Sequence, residues 1–392
     1  MVKKKKEKKS DKKEPSRSIG RPAERELWAR AGGRCQFDGC NKLLYKSNVT
    51  QEKVNVSEKA HIYSFSENGP RGWGPYNDFP EDLNKVENLF LVCHDCHKTI
   101  DPQKDGGRYP AELVKKWKRD HERRIALVTG ITQNKRSHVV FFGSNISGDS
   151  VIFDRDSCQN AMFPERYPFS EYPIELSMVC AHEDKTEKFY RSESKNLKSL
   201  FKSEVVPRLK ADSCKHLSVF AWAGIPLLIQ LGTLLTDKVA VDTYQRLREP
   251  EGWGWDEFPD GFEFILNEPD NPDGKAVLII SISDVVKHDR ITSVLGDNVS
   301  IWELTIPSDL IGNDCIRAKA QLSLLREAVR KVMRVVQAAK GLKEELHVFP
   351  AMSISCAVEM GRARMPKATM PWVIYDQNDK RGKFIKALRI GG

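Results

Sequence analysis

No secretory leader is expected at the head of this sequence. Its first twenty residues instead carry eight Lys and one Arg against three acidic side chains, which reads as a solvated, flexible basic arm (1–20) serving either solubility or tethering to a polyanion. No membrane span follows. The nineteen residues Leu217–Leu235 are free of charge and nearly long enough to cross a bilayer. They are broken, however, by Gly224, Pro226 and Gly232 and carry Ser218, Gln230 and Thr233, so a buried strand, a turn and a helix are expected there. Net charge is missing from the C-terminal two thirds, where residues 131–392 hold 35 basic and 35 acidic side chains. Closely spaced cysteines are missing there as well. Cys158, Cys180, Cys214, Cys315 and Cys356 are scattered, which argues against a disulfide framework and for an intracellular, cytoplasmic protein.

What is present begins with length. At 392 residues, 40% of them hydrophobic, the chain has material for two cores and too much of it for general disorder. The basic surplus sits wholly in the N-terminal third, since residues 21–130 add 19 basic against 16 acidic side chains to the arm. A polyanion such as DNA is expected to dock there, through phosphate contacts and counterion release. The same third holds Cys35 and Cys40, with four residues between them, and Cys93 and Cys96, with two between them. Two such knuckles suit one tetrahedral structural Zn²⁺. The alternative, four unrelated buried cysteines, is less favoured because paired close spacings rarely arise by accident. A helix from about Pro22 to Ala31, stopped by Gly32 and Gly33, is expected to lead into the first knuckle.

Between the knuckles stand Lys59-Ala60-His61-Ile62, and just before the second stand Glu87-Asn88-Leu89-Phe90-Leu91-Val92. With Cys93-His94-Asp95-Cys96-His97 these residues resemble the HNH nuclease family across residues 21–130. The resemblance implies a small zinc-stapled ββα-metal domain that hydrolyses DNA. It makes His61 the general base, His97 a ligand of a catalytic Mg²⁺ or Mn²⁺, and Asn88 the loop residue that orients the strand bearing His61. The residue types suit the chemistry, because a neutral imidazole titrates near neutrality and a divalent ion stabilises charge on the phosphoryl group and the leaving 3′-oxygen. One departure stands out. Many family members have Asp immediately before the general-base His, as a second metal ligand, and this sequence has Ala60. The metal therefore has more waters, or takes help from Asp101, Asp95 or His94. Asp101, four residues beyond His97 and on its helical face, is favoured, against a plain surface role. The Gly- and Pro-rich segment 68–84 reads as an exposed loop whose Arg71 and Trp73 either contact DNA or merely help it span two elements, the latter preferred.

After Thr129 the sequence turns polar, notably at Gly143-Ser144-Asn145-Ile146-Ser147-Gly148-Asp149, and residues 131–150 are expected to be a linker before a domain at 151–392. From about residue 174 strand-like and helix-like runs alternate, the signature of parallel α/β layers. Strands are expected at 174–181, 217–223, 239–244, 276–283, 299–306, 346–351 and 372–375, with the longest helix from about Asp314 to Lys340. The pattern repeats. Setting Leu217, Val219 and Phe220 over Leu346, Val348 and Phe349 also matches Ile225 with Ile354, Gly232 with Gly361 and Lys238 with Lys367. Two Rossmann-like halves with a cleft between them follow, with helix starts near Pro226 and Ser355 offering backbone N–H groups to an anion.

These residues, with Gly252-Trp253-Gly254-Trp255, resemble the SAVED domains of bacterial antiphage systems, which fuse two CARF-like halves. An HNH domain followed by such a repeat has the layout of the HNH–SAVED effector nucleases of CBASS defence. That resemblance implies activation by a cyclic di- or trinucleotide, assembly into a dimer or higher homo-oligomer, and indiscriminate cleavage of double-stranded DNA. Bases need surfaces to stack on and phosphates need cations, so Trp253, Trp255, Arg246, Arg362, Arg364 and Lys367, with Ser353, Ser355 and Pro226 at the helix starts, are the candidate ligand-binding residues. Two rivals remain. A restriction-type enzyme whose C-terminal domain reads sequence or modified bases is disfavoured by that domain's neutral charge, and a non-catalytic zinc module by the joint presence of His61, Asn88 and His97.

Overall fold

The computed structural model describes residues 18–101, 107–144, 152–177, 184–211, 213–366, 368–378 and 382–391. Most of the basic arm, part of the expected linker, the end of the strand expected at 174–181, and Lys367 lie outside the described residues. The chain divides into two units, Met1–Thr132 and Gln133–Gly392.

The first unit begins with α1 (Arg21–Ala31), which has Pro22 in its first turn and stops at Gly32 in the left-handed conformation (φ 59°), burying Leu27 and Ala31. β1 (Ser57–His61) pairs antiparallel with β2 (Leu89–Cys93) in a register that sets Ser57 against Cys93 and His61 against Leu89. All five residues of β2 are buried, because Leu89-Phe90-Leu91-Val92 has no polar face to offer to water. α2 (His94–Ile100) follows without a loop, and α3 (Ala111–Thr129) closes the unit through Val114. The small core is built from Leu27, Leu44, Ile62, Phe90 and Val92.

The second unit is a pair of mainly parallel sheets. β3 (Arg136–Gly143) lies between β6 (His216–Trp222) and the two-residue strands β4 (Tyr167–Pro168) and β5 (Ile174–Glu175), and β6 continues to β7 (Ala240–Thr243), all parallel. α4 (Arg155–Met162) and the long α5 (Glu187–Leu200) precede β6. α5 passes through a π-helical turn at Phe201–Val205 into α6 (Val206–Ala211), where the ring of Pro207 excludes an ordinary helical bond. β8 (Leu247–Arg248) and β9 (Glu251–Gly252) form a small hairpin. The second sheet runs β10 (Ile265–Asn267), β12 (Val299–Thr305), β11 (Lys275–Ser281), β13 (Leu346–Ala351), β14 (Trp372–Asn378) and β15 (Lys383–Ile390), with only the two outer strands antiparallel. α8 (His288–Leu295) links β11 to β12, and α9 (Lys319–Lys340) leads to β13. The start of α9 falls at Lys319 and not near Asp314, because the Gln321 carboxamide caps it by accepting from the Arg317 and Ala318 amides at 2.8 Å each.

The linker reading fails for its central part. Residues 136–143 are a strand whose last seven residues are buried. Val139, Val140, Phe141 and Phe142 supply apolar side chains to both faces, and this burial outweighs the turn-forming residues that follow.

The expected repeat is present as two βαβ crossovers. The first is β6, α7 (Ile225–Leu235) and β7; the second is β13, α10 (Ile354–Ala363) and β14. In one copy Phe220 stacks on Tyr244 with ring centroids 4.3 Å apart and in the other Phe349 stacks on Tyr375, also at 4.3 Å. The helices meet at matched glycines. A Cβ on Gly232 would fall 2.0 Å from the Val358 carbonyl oxygen, and one on Gly361 would fall 2.0 Å from that of Ile229. The two backbones thus touch where no side chain fits, and one core runs from β6 through α7 and α10 to β13. Among the described residues no helix is long and apolar enough to cross a membrane; Leu217–Leu235 is β6, a turn and α7.

Candidate functional site

In the first unit the two knuckles converge. The sulfurs of Cys35, Cys40, Cys93 and Cys96 all lie within 4.8 Å of one another, the only such group of three or more His, Cys, Asp or Glu donors among the described residues. Cys40 Sγ and Cys93 Sγ are 3.9 Å apart, against about 3.8 Å for two ligands on a tetrahedral zinc with 2.3 Å bonds. The donor set fits that ion. Gln36 ties the first knuckle along β2, its amide donating to the Leu91 carbonyl at 2.9 Å and its Oε1 accepting from the Leu91 amide at 2.8 Å. The Cys93 amide points at Cys35 Sγ from 3.3 Å, and burial pushes the Cys35 thiol up to about 12.

One strand end away, β1 delivers His61. Its Nε2 lies 2.9 Å from Asn84 Oδ1. A carboxamide oxygen only accepts, so Nε2 carries the proton and Nδ1 is the basic atom. Burial lowers the His61 pKa from its ordinary value; Asn84 and Asp101 raise it, nearby His97 lowers it further, and the lowering dominates. The ring is therefore neutral at pH 7. Asn88 is buried and its carboxamide is fully used: Oδ1 accepts from the Tyr63 amide at 2.8 Å, while Nδ2 donates to the carbonyls of Tyr63 (3.0 Å) and Leu83 (2.9 Å). It clamps the chain leaving His61 to the turn that ends at Asn84.

His97 faces Asp101, with Nε2 3.5 Å from Oδ2, while Asp101 Oδ1 takes Arg71 Nη2 at 2.6 Å. Asp101 ends α2, so it is an ion-paired carboxylate with one oxygen towards His97 and not a free surface residue. The other two candidates are committed elsewhere: Asp95 pairs with Lys42 at 3.2 Å and His94 with Glu58 at 3.3 Å. Ala60 is buried in the core beside Phe90 and Ile62, which explains the departure at that position, since a carboxylate there would be desolvated without a partner. Arg71 and Trp73 are also buried, which removes them as DNA contacts. The Arg71 side chain is 3% exposed and also donates to the carbonyls of Ile62 (2.5 Å), Ile100 (3.0 Å), Tyr109 (3.4 Å) and His61 (3.4 Å). Trp73 Nε1 donates to the Phe65 carbonyl at 3.1 Å. Apart from the Arg71 side chain, Trp73 and Leu83, which are buried, segment 68–84 is the half-buried to exposed loop expected, with short 3₁₀ turns at Gly74–Tyr76 and Pro80–Asn84.

In the second unit a cavity of about 320 Å³ opens at the N-terminal ends of α7 and α10, lined by Gly224 and Ile225 from one copy and Ser353 and Ile354 from the other. This lies at the carboxyl ends of parallel strands, where open α/β sheets bind ligands. Of the expected ligand residues, Arg246 and Ser353 line it. The others need correction. Pro226 is buried in the first turn of α7, and Ser355 is buried with its amide and hydroxyl satisfied by Gln245 Oε1 at 3.2 and 2.7 Å. Trp253 is a core residue, edge-on to Phe220 and stacked on Phe153, and Trp255 packs half-buried beside Tyr244. Arg362 is held by Glu359 at 2.8 and 3.0 Å and by the Val239 carbonyl at 3.2 Å, and Arg364 is buried over the Trp372 ring. Lys367 lies outside the described residues. Sequence reasoning missed Trp222, whose ring lies 5.1 Å beneath the Arg246 guanidinium on the cavity wall, together with Arg248 and Lys185. Its place at the last residue of β6, two residues before the Gly224 that caps α7, was the available signal.

Two similar parallel α/β halves, open to one cavity at their paired helix starts, define the second unit as a duplicated Rossmann-like domain with a pocket of ligand size. More particularly, residues 197–390 match the SAVED family, described as "SMODS-associated and fused to various effectors sensor domain", and this segment is a SAVED sensor domain. Among solved structures, the chain is similar to the Acinetobacter baumannii Cap4 SAVED/CARF-domain containing receptor with the cyclic trinucleotide 3′3′3′-cAAA (13% identity, TM-score 0.40, 71% of this chain and 59% of that one). It is also similar to the Moraxella osloensis Cap4 receptor (12% identity, TM-score 0.35, 72% and 60%). The chain therefore spans about three fifths of the length of these structures. No curated protein matches it.

Proposed function

We propose that this chain is a cyclic-oligonucleotide-activated, metal-dependent DNA endonuclease: an HNH-type nuclease unit governed by the SAVED sensor domain, acting in antiphage defence. The observation that carries the nuclease half is the meeting of a neutral, hydrogen-bonded His61 with His97 on an antiparallel ββα unit stapled beside four clustered thiols. In this reading His61 Nδ1 takes the proton of the attacking water. His97, with Asp101 behind it, holds Mg²⁺ or Mn²⁺, which when bound neutralises charge on the phosphoryl and leaving oxygens. The four cysteines hold Zn²⁺, which does no chemistry but fixes α2 against β1. In the sensor, the Trp222 and Arg246 pair offers a face for a base, and the Ile225 and Ile354 amides that open α7 and α10 at the cavity are the backbone donors for a phosphate. Cyclic trinucleotides are bound by structures similar to this chain, and a cyclic di- or trinucleotide is the proposed activator. The test is incubation of the full chain with plasmid, Mg²⁺ and a panel of cyclic di- and trinucleotides. Cleavage only with one of the panel, lost in His61→Ala, is expected. A chain that binds plasmid but never cuts it would instead favour a non-catalytic zinc module.

A further inference from the structure

We propose that Asn84 is a positioning residue of the nuclease site, holding His61 in the tautomer that presents Nδ1 to water. The proposal rests on the nuclease reading above and goes beyond it in assigning the atom and the residue that selects it. Asn84 Oδ1 sits 2.9 Å from His61 Nε2, and the separation is set by backbone that other groups hold. Asn88 grips Tyr63 on both its amide and its carbonyl and grips the Leu83 carbonyl, while its own carbonyl accepts from the Ile62 amide at 2.8 Å. Strand end and turn are thereby fixed to one buried carboxamide. From the other side Arg71 holds the carbonyls of His61 and Ile62.

The charged and titratable groups around the ring are His97 and Asp101 from α2, Arg71 from the loop 68–84, and the Asp82–Lys85 pair (2.7 Å) flanking the turn of Asn84 itself. A neutral acceptor suits this setting. A carboxylate at position 84 would hold the same tautomer but would favour the imidazolium, which cannot act as a base. An alanine would leave the Nε2 proton without its partner, so the ring would exchange between tautomers and only part of the population would offer Nδ1.

The experiment uses the full zinc-loaded chain with ¹⁵N-labelled histidine, the His61 signals being assigned by their loss in His61→Gln. In the unaltered chain without Mg²⁺, His61 is expected to show a protonated Nε2 and a bare Nδ1. Asn84→Ala should give a tautomer mixture, and Asn84→Asp the original tautomer with a raised pKa. In cleavage assays Asn84→Ala should lower kcat by roughly 10- to 100-fold with KM for DNA within about two-fold. Asn84→Asp should recover much of that rate with the acid limb of the pH profile moved to higher pH. Melting curves establish that each variant is folded. A protonated Nδ1 in the unaltered chain would overturn the proposal, as would Ala and Asp variants that lose activity alike with an unmoved acid limb. If the unaltered chain cuts no DNA, the nuclease reading fails, while the ring signals still decide whether Asn84 sets the tautomer.

Discussion

His61 and His216 are both lowered in pKa by burial, to different ends. At His61 the lowering keeps the base unprotonated at pH 7. The acid limb of cleavage should therefore fall below the roughly 6.5 of a free imidazole, and His61→Ala should remove a factor of roughly 10² to 10⁴ without unfolding the chain. A folded His61→Ala variant cutting at the normal rate would show that another group is the base. His216 lies within the second unit, 2.8 Å from Ser137 Oγ and 3.5 Å from Asp242, and burial, opposed by Asp242 and assisted by Arg166 and Lys319, pushes it down to about 4. A folded-state pKa below the unfolded one means that the native state binds the proton less well. The stabilising effect is whole above about 6.5 and is lost as pH falls towards about 4. Calorimetry should show the melting temperature of this unit falling across that window, with a flatter fall in His216→Asn; an equal slope in both proteins would rule out His216 as the cause. At this scale the sequence disclosed what short spacing and chemical type disclose: Cys35, Cys40, Cys93, Cys96, His61, Asn88 and His97 all stand in one neighbourhood of the first unit. It concealed what depends on a partner distant in sequence. The Asn84 partnership with His61 spans 23 positions. Arg362, expected from the sequence to bind ligand, instead pairs with Glu359 three residues before it, a helical spacing that the sequence alone could have flagged.

Among the elements, the knuckles and β2 carry the first unit. Any one of Cys35, Cys40, Cys93 or Cys96 changed to Ser should leave the other three thiols without a closed tetrahedral site and melt this unit while sparing the second, because metal binding energy here is folding energy. Metal analysis should find one zinc per chain in the unaltered protein and less than that in each variant. A full complement of zinc in a Cys→Ser variant, or none in protein purified without chelator, would count against the site. Strands with a long apolar run were readable from composition alone, and β13 falls at the expected Leu346–Ala351. β3 was not, since its four apolar residues are followed by Gly143, Ser144 and Asn145, and local turn chemistry masked a strand that only its place between β6 and the short edge strands makes stable. β15 was missed too, because Lys383-Phe384-Ile385-Lys386 alternates weakly and pairs only as an antiparallel edge.

For the whole molecule, the proposed activator must bind the active assembly more tightly than the resting form, by roughly 5 kcal/mol if the shift runs from mostly inactive to mostly active. A single nuclease site cuts one strand at a time, so double-strand cleavage favours activation through association of two or more chains. Trp222→Ala and Arg246→Ala should raise the nucleotide concentration needed for cleavage at least ten-fold, a loss of about 1.4 kcal/mol, with the maximal rate retained. Light scattering should record a mass increase on adding the active nucleotide; activation at constant mass would remove association from the mechanism. The glycine crossing of α7 and α10 bears on how such a signal is felt. Because Gly232 and Gly361 meet backbone to backbone, the duplicated halves share a crossing point with no side chain between the two helices. A ligand seated at the starts of these two helices therefore touches both copies at once, and a bulkier residue at either glycine is an error in both copies.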